Sequence, residues 1–359
     1  MKIAINTGGG DAPGLNAVIR AASLSALNLG WDVVGIRRGY QGLFEEDGLV
    51  PLTRESVSGI THLGGTILGT TNRGSPLAWP VEGPDGVIEY VDRSEEVVRE
   101  FTRHGLDALI AIGGDGSLRI ASRLSEKGLP VVGVPKTIDN DLAATEVTFG
   151  FHTAVETATD ALSRLHSTAE AHSRVMVVEV MGRGAGWIAL YAGIAGTADV
   201  ILIPEIPYSL DRVCEKIQER YDGDLGFAIV VAAEGAFPEG GEPVLVEKGA
   251  PGRAERFGGI ADRLAHEIAE RTGRETRSLA LGHLLRGGQP TAYDRLLALR
   301  FGAAAVSLVR DGCFGCMVAL NPLGVRAVPL AEAVAEIKQV PVDGDVVRTA
   351  RSLGVSFGD

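Results

Sequence analysis

Two carboxylates that follow an apolar run are the residues best suited to chemistry in this sequence. The run from Leu129 to Val134 is typical of a buried parallel strand, and Lys136, Thr137, Asp139 and Asp141 follow it closely. In open α/β sheets, ligands bind at the C-terminal ends of the strands. One carboxylate there could take a proton from an attacking hydroxyl, while the other orients that hydroxyl or holds the water shell of a metal.

The direction of these carboxylates depends on the local backbone. Asp139 and Asp141 point the same way if the segment is extended, because side chains alternate along a strand with period two. The alternative is a turn rich in Asp and Asn that has no catalytic role. Two further glycine-rich turns in the sequence favour a functional role for the aspartates.

Two glycine-rich turns stand where predicted strands lead into predicted helices. The first, 8–14, includes Gly9 and Gly10; the second, 113–117, includes Asp115 and precedes a helix predicted over about 118–127. Glycine lets the backbone approach a phosphate closely, and a helix N-terminus supplies N–H donors. Asp115 suits a Mg²⁺ ion that bridges phosphates, because Mg²⁺ prefers one or two carboxylates plus water. The first turn matches neither G-x-G-x-x-G nor a P-loop, so the prediction rests on the turns occurring together.

Cationic side chains suited to an anionic substrate occur in the second half of the chain. Each stands at a predicted strand edge or in a glycine-rich turn, where bidentate contacts to a phosphate are feasible. Any single one is more often a solvated charge or an ion-pair partner. In an acidic protein, the group supplies the local positive charge that an anionic substrate requires: Arg174, Arg183, Arg277, His283 and Arg286.

The composition and the order of predicted elements indicate an α/β protein. The chain has 359 residues, of which 45% are hydrophobic and 22% charged, enough for two domains with well-formed cores. Strands alternate with helices throughout, which implies parallel sheets covered by helices on both faces. Residues 74–92 are rich in Pro and Gly, and we expect them to form a loop.

Charge and cysteine content limit the partners and the compartment. The formal net charge of −12 argues against general binding to nucleic acids or anionic membranes. No apolar run approaches transmembrane length. Three cysteines suit a reducing compartment, so we expect a cytoplasmic protein.

Taken together, these motifs resemble those of the 6-phosphofructokinase family. They match in order and at family-like spacing, from T-G-G-G-D-A-P-G at 7–14 to G-H-x-x-R-G-G at 282–288 and Y-D-R at 293–295. The resemblance implies a phosphofructokinase-like fold of two similar three-layer α/β domains with mainly parallel sheets. Residues 1–150 plus about 285–335 would form the phosphoryl-donor domain. Residues from about 151 to 284 plus 336–359 would form the sugar-phosphate domain.

The resemblance also implies roles on the acceptor side, for transfer to the 1-hydroxyl of fructose 6-phosphate. Asp139 would be the base that deprotonates this hydroxyl, while Thr137 and Asp141 would hold the reacting sugar and assist charge placement. Arg183 would face both the sugar and the transferring phosphoryl group. Other sugar contacts would come from Met181, Gly182 and Glu234, with His283 and Arg286 on the 6-phosphate.

Two further arginines imply self-association. In the family pattern, Arg174 and Arg277 reach into the site of a neighbouring subunit. The resemblance therefore implies a homodimer or a homotetramer in which these side chains complete the partner's site.

On the donor side, the resemblance assigns the glycine turns to the donor phosphates and Asp115 to Mg²⁺. The lining residues would be Gly9, Gly10, Gly114, Gly116 and Ser117. Asn72 or Arg73, in a threonine-rich segment that otherwise reads as a surface loop, would bridge donor and sugar.

Two residues give opposite indications about the donor itself. In the family pattern, Gly at position 116 leaves space for a nucleotide, whereas Asp there blocks ATP and favours pyrophosphate. Lys136 is the residue of pyrophosphate enzymes, where an ammonium neutralises the leaving group. Because a steric block is harder to evade than an added charge, we expect ATP to be the donor. The alternative is reversible pyrophosphate-dependent transfer to fructose 6-phosphate or to sedoheptulose 7-phosphate.

Basic residues are missing at two places where regulated bacterial members of the family carry them. Leu24 stands one turn after Arg20, and Y-D-G-D occupies 221–224, where regulated bacterial members carry basic residues. We therefore expect hyperbolic kinetics without inhibition by phosphoenolpyruvate. A non-catalytic sugar-phosphate sensor would have lost its catalytic acids, which are present here. A Rossmann-type dehydrogenase would carry G-x-G-x-x-G after the first strand.

Overall fold

The computed structural model describes residues 1–71, 75–83, 85–223, 226–249 and 255–359. Its strands are β1 (Lys2–Thr7), β2 (Asp32–Ile36), β3 (Leu49–Pro51), β4 (Trp79–Glu82), β5 (Ile88–Val91), β6 (Ala108–Gly113), β7 (Val131–Thr137), β8 (Phe149–Gly150), β9 (Val175–Val180), β10 (Val200–Leu202), β11 (Ala228–Ala233), β12 (Leu245–Glu247), β13 (Arg256–Phe257), β14 (Thr276–Ala280), β15 (Cys316–Asn321) and β16 (Gly324–Pro329). Its α-helices are α1 (Leu15–Asn28), α2 (Ser94–Arg103), α3 (Asp115–Glu126), α4 (Phe151–His172), α5 (Trp187–Ala195), α6 (Leu210–Asp222), α7 (Ile260–Thr272), α8 (Ala292–Arg310), α9 (Leu330–Ala333) and α10 (Asp345–Ser352).

Two sheets carry the fold within these ranges. The larger has the order β16-β15-β7-β6-β1-β2-β3, with β8 paired to β7, and the smaller has the order β10-β11-β9-β14. All pairings in the smaller sheet are parallel. The larger sheet is antiparallel only at its two edges, where β3 pairs with β2 and β16 pairs with β15. Residues of the C-terminal segment reach the smaller sheet, because Ser356 forms a bridge with Val200.

Alternating side chains divide the core into layers, as expected for strands buried on both faces. In β1, Ile3 and Ile5 face a central cluster that also contains residues of α1, α4, α5 and α8, whereas Ala4 faces α2 and α3. In β9, Val178 faces the same central cluster and Val177 faces α6 and α7. Helices therefore cover both faces of each sheet, which confirms the predicted α/β class.

Two local expectations from the sequence are wrong. Within 74–92, expected to be a loop, β4 and β5 form an antiparallel hairpin in which Trp79 pairs with Val91. The Pro and Gly content of this segment had indicated a loop because the two strands are short. Helix α3 begins at Asp115, not near 118, because Gly114 is its N-cap. Between Asp139 and Asp141 the chain forms a turn, which the sequence had left open as the alternative to an extended segment, since Asn140 has a φ of 52°.

No helix in the described part of the chain is both long and apolar enough to cross a membrane.

Candidate active site

The end of β7 and the turn after it form the centre of the site. Thr137 is the last residue of the strand, and its Oγ1 accepts a hydrogen bond from the backbone N–H of Asp139 at 3.1 Å. Asn140 then adopts the left-handed conformation that Asn tolerates better than most residues. The segment is thus a turn closed by the Thr137 hydroxyl, and it presents two carboxylates close enough to affect each other's ionisation.

The carboxylates of Asp139 and Asp141 are poorly compensated within the described structure. The Oδ1 atom of each is buried and has no hydrogen-bond partner there. Burial raises the pKa of Asp139, although the charges of Arg286, Arg183 and Lys136 oppose the rise. Burial and the neighbouring Asp139 charge raise the pKa of Asp141 to about 6. Both groups therefore hold protons more readily than ordinary aspartates, as a general base working near neutral pH requires.

Lys136 is a buried cation next to the first glycine turn. Its side chain is 3% exposed, and its ammonium donates a hydrogen bond to the carbonyl of Gly10. Burial, and then the charge of Arg286, lowers the pKa of Lys136 to about 8, although nearby aspartates oppose this. The ammonium of Lys136 therefore points to the first glycine turn.

The two glycine turns meet at one place. A Cβ added to Gly9 would lie 3.1 Å from the Ser117 hydroxyl oxygen and 3.7 Å from the Lys136 Nζ, and one added to Gly114 would lie 3.1 Å from the Lys136 carbonyl oxygen. At Gly116, a Cβ would have no neighbour within 4 Å. Space is therefore tight between the turns and open beside position 116.

Asp115 lies in the first turn of α3, where the helix dipole favours an anion. Its carboxylate accepts bonds from Arg119 Nε at 2.9 and 3.0 Å. Its charge contributes to the raised pKa of Asp141, so it lies near the aspartate pair. Within the described residues no group of three or more His, Cys, Asp or Glu side chains could hold a metal ion by itself. Asp115 could supply one carboxylate, which fits Mg²⁺ because this ion takes its other ligands from water and phosphate oxygens.

Residues of the smaller sheet approach the aspartates from the opposite side. Arg183 follows β9, and Glu234 follows β11, so both stand at C-terminal strand ends. The backbones of these loops are joined, because the N–H of Gly235 donates to the carbonyl of Gly182 at 3.1 Å. Burial and the charge of Asp139 raise the pKa of Glu234 to about 7. Met181, beside them, packs on the central cluster.

Arg286 connects the two sides, whereas His283 points outward. Both lie in the 3₁₀ turn Gly282–Arg286. The Arg286 Nη1 donates to the carbonyl of Asp11 at 3.2 Å, and a Cβ at Gly10 would lie 2.8 Å from it. His283 is exposed. Arg286 therefore lies close enough to Asp139 for its charge to act on that carboxylate, while His283 lies three residues earlier at the surface.

Arg174 and Arg277 are not brought to this site by their own chain. Arg174 precedes β9 by one residue, so the length of the strand, roughly 20 Å, separates it from the C-terminal strand end. The two arginines instead converge on Glu275, which Arg174 contacts at 2.9 Å and Arg277 also pairs with. Arg277 lies in β14, an edge strand of the smaller sheet, and Arg174 directly precedes β9, the strand that pairs with it.

Two predicted site residues cannot be placed, and three residues that contact the site were not predicted. Asn72 and Arg73 lie outside the described residues. Asn140, Arg119 and Lys338 contact the site but were not identified from the sequence. Asn140 had a usable signal, because Asn between two aspartates favours a left-handed turn. Lys338 had none, since it lies about 200 residues from the turn in a polar segment.

A model of the phosphofructokinase family matches residues 2–309. The ATP-dependent 6-phosphofructokinase 2 of Clostridium perfringens is 50% identical over 362 residues, which is 100% of this chain and 98% of the relative. A pyrophosphate–fructose 6-phosphate 1-phosphotransferase of Amycolatopsis mediterranei is 52% identical over 346 residues, which is 96% of this chain and 97% of the relative.

Solved structures give the same fold. Phosphofructokinase of Pichia pastoris in the T-state superposes with a TM-score of 0.80 at 32% identity, over 93% of this chain and 35% of that longer one. The pyrophosphate-dependent phosphofructokinase of Nitrosospira multiformis has a TM-score of 0.81 at 21% identity, over 100% of this chain and 92% of that one, a likeness of fold alone.

Proposed function

The chain belongs to the phosphofructokinase family, and we propose that it transfers a phosphoryl group from ATP to the 1-hydroxyl of fructose 6-phosphate. Its relatives use either ATP or pyrophosphate for phosphorylation of this sugar. The observation that carries the proposal is the aspartate pair after β7, whose buried Oδ1 atoms lack partners in the described structure and face cations from both sheets.

In the proposed reaction, Asp139 takes the proton of the sugar 1-hydroxyl while the oxygen of that hydroxyl forms a bond to the transferred phosphorus. The bond from that phosphorus to the donor oxygen breaks, and the electron pair stays with the leaving group. Phosphoryl transfer asks the protein mainly for positioning and charge neutralisation. Arg183 and Arg286 supply positive charge beside the base, and Thr137 and Asp141 hold the attacking hydroxyl.

We assign Mg²⁺ to Asp115, together with oxygens of the donor. When bound, it would neutralise charge on the donor phosphates. The helix N-terminus at Gly114 and the turn at Gly9 and Gly10 would contact those phosphates through backbone N–H groups. Ser117 would add a hydroxyl, because it adjoins Gly9.

The open space beside Gly116 is the reason to favour ATP over pyrophosphate. The buried Lys136 ammonium favours the alternative, a reversible pyrophosphate-dependent transfer, because it would neutralise a small leaving group. In the structure this ammonium donates a hydrogen bond to the Gly10 carbonyl, so part of its hydrogen-bonding capacity is used by the protein and not by a phosphoryl donor.

The test is a coupled assay for fructose 1,6-bisphosphate with Mg²⁺, comparing ATP and pyrophosphate at matched concentrations. We expect turnover with ATP. Gly116→Asp should remove most of it, while Gly116→Ala, which adds one carbon to open space, should keep it. Turnover with pyrophosphate alone would make the donor assignment wrong, and no turnover with either would overturn fructose 6-phosphate as the substrate.

We also propose that the active form is a homo-oligomer in which Arg174 and Arg277 reach a partner's sugar site. The strand length that separates Arg174 from its own chain's aspartates supports this, as does the position of Arg277 in an edge strand. If so, Arg277→Ala should raise the KM for fructose 6-phosphate more than it lowers kcat. Cytoplasmic location and the absence of phosphoenolpyruvate inhibition stay predictions.

A further inference from the structure

A short C-terminal segment, residues 337–340, contacts the catalytic turn and is called the strap below. Ile337 forms an antiparallel bridge with Leu142. The backbone N–H of Lys338 donates to the carbonyl of Asp141 at 2.9 Å. The strap is therefore bonded to the main chain of one of the two aspartates, although almost 200 residues separate them in sequence.

The side chain of Lys338 completes this attachment. Its ammonium donates to Asn140 Oδ1 at 2.8 Å, to the Thr145 carbonyl at 3.1 Å and to the Glu146 carbonyl at 3.0 Å. An ammonium has three protons, and each has an acceptor here. Lys338 thus holds both arms of the loop that follows Asp139.

Asn140 is the residue that most needs such support. It lies between the aspartates, is 4% exposed, and has a positive φ of 52°. The second bond to its Oδ1 comes from the N–H of Thr148 at 3.2 Å. The two donors fix its amide, and with it the left-handed backbone that sets the directions of Asp139 and Asp141.

The other side of the strap is bonded to residues that follow β9 and β10 of the smaller sheet. Trp187 Nε1 donates to the carbonyl of Lys338 at 2.8 Å. Glu205 Oε1 accepts from Val340 N at 2.8 Å and from Gly186 N at 3.1 Å. Gly186 is three residues after Arg183, so one short segment connects the aspartate turn with the arginine loop.

We propose that Lys338 is a positioning residue, which sets the geometry between the base Asp139 and the cation Arg183. This inference rests on the proposed phosphoryl transfer. The hydrogen bonds of Lys338 reach backbone and amide groups of the turn, so Lys338 acts on the reaction through Asn140. A small displacement of reacting groups lowers the rate strongly while leaving ground-state binding largely intact.

The test compares Lys338→Met with Val347→Ala, a matched control in the same C-terminal segment. Val347 is 1% exposed in α10 and makes apolar contacts only, so its truncation destabilises without touching the turn. We expect Lys338→Met to lower kcat on the order of 10–100-fold, with the dissociation constant for fructose 6-phosphate changed by less than about threefold. Val347→Ala should lower Tm by a similar or larger amount and leave kcat almost unchanged.

A third variant separates positioning from charge. Lys338→Arg keeps the positive charge, but a planar guanidinium does not match three acceptors arranged around an ammonium, so we expect kcat to stay well below that of the parent. Full activity of Lys338→Arg, unchanged kcat in Lys338→Met, or equal loss in Val347→Ala would each overturn the proposal.

A measurement independent of turnover keeps this inference distinct from the function itself. Amide hydrogen exchange over 138–150 and 183–187 should accelerate in Lys338→Met but not in Val347→Ala. If the parent protein turns over neither donor, the proposed function fails, and exchange still decides whether Lys338 orders both loops. Unchanged exchange would overturn its role.

Discussion

The aspartate pair after β7 and Glu179 in β9 are two carboxylate sites with opposite hydrogen bonding. Glu179 is 7% exposed, and its oxygens accept from Gly259 N at 3.0 Å and from Ala261 N at 3.1 Å, at the N-terminus of α7. In the described structure, Asp139 and Asp141 each keep a buried oxygen without a partner. The first arrangement stabilises the fold, whereas the second leaves carboxylates free to bind a proton, a metal or a hydroxyl at some cost in stability.

The largest effect should come from replacing Asp139, the proposed base. Asp139→Asn keeps the shape but cannot accept the hydroxyl proton, so kcat should fall on the order of 10³–10⁴-fold or more. Steady-state kinetics would measure this, with fructose 6-phosphate binding as the control for an intact site. Loss of binding without a fall in single-turnover rate at saturation would contradict the role.

Glu179 provides the converse experiment. Glu179→Gln removes charge-assisted bonds from the N-terminus of α7, so the free energy of unfolding should fall by about 2 kcal/mol, measured by urea denaturation. Glu267→Gln in the same helix, which loses a partly exposed i,i+4 pair with Arg263, is the matched control and should be nearly neutral. We expect kcat to change less than tenfold in either variant. Equal stability of the two would end the contrast with the aspartates.

The pH dependence of stability should distinguish the aspartates further. Because the pKa of Asp141 is raised to about 6, above its value in the unfolded chain, its favourable contribution is complete below the unfolded pKa and is lost as pH rises through about 6. Asp141→Asn should therefore raise Tm by a few degrees at pH 8 and change it little at pH 4. A Tm lowered by the substitution at pH 8 would mean that the carboxylate is better compensated than its contacts indicate.

The smallest effect belongs to an exposed acid. Glu275 pairs with Arg174 and Arg277 at the surface of the chain, and Glu275→Gln should change Tm by less than about 1 °C. Arg174→Gln, measured beside it, should behave alike in stability while weakening sugar affinity in the proposed oligomer. A large drop in Tm for Glu275→Gln would show that this acid is structural.

The site could be foreseen where chemistry is local in sequence. Residue type and predicted strand ends were enough to identify several candidate site residues. They identified the D-N-D stretch, the glycine turns around Gly10 and Asp115, and Lys136, but not every feature was predictable. The direction of the aspartates was not, since one left-handed residue, Asn140, overrides strand alternation. The hairpin of β4 and β5 was missed for a related reason, because its pairing depends on contact across a turn rather than on composition.

The sequence by itself determined the α/β class, the alternation of buried strands with helices, and the family to which the chain belongs. These follow from periodicity and from motifs a few residues long. Only the tertiary structure showed that Arg286 bonds to the turn at Asp11, and that Lys338 bonds to the loop at Asn140. Such contacts join residues about 200 or more positions apart, and the packing of two sheets creates them, so no spacing in the sequence encodes them.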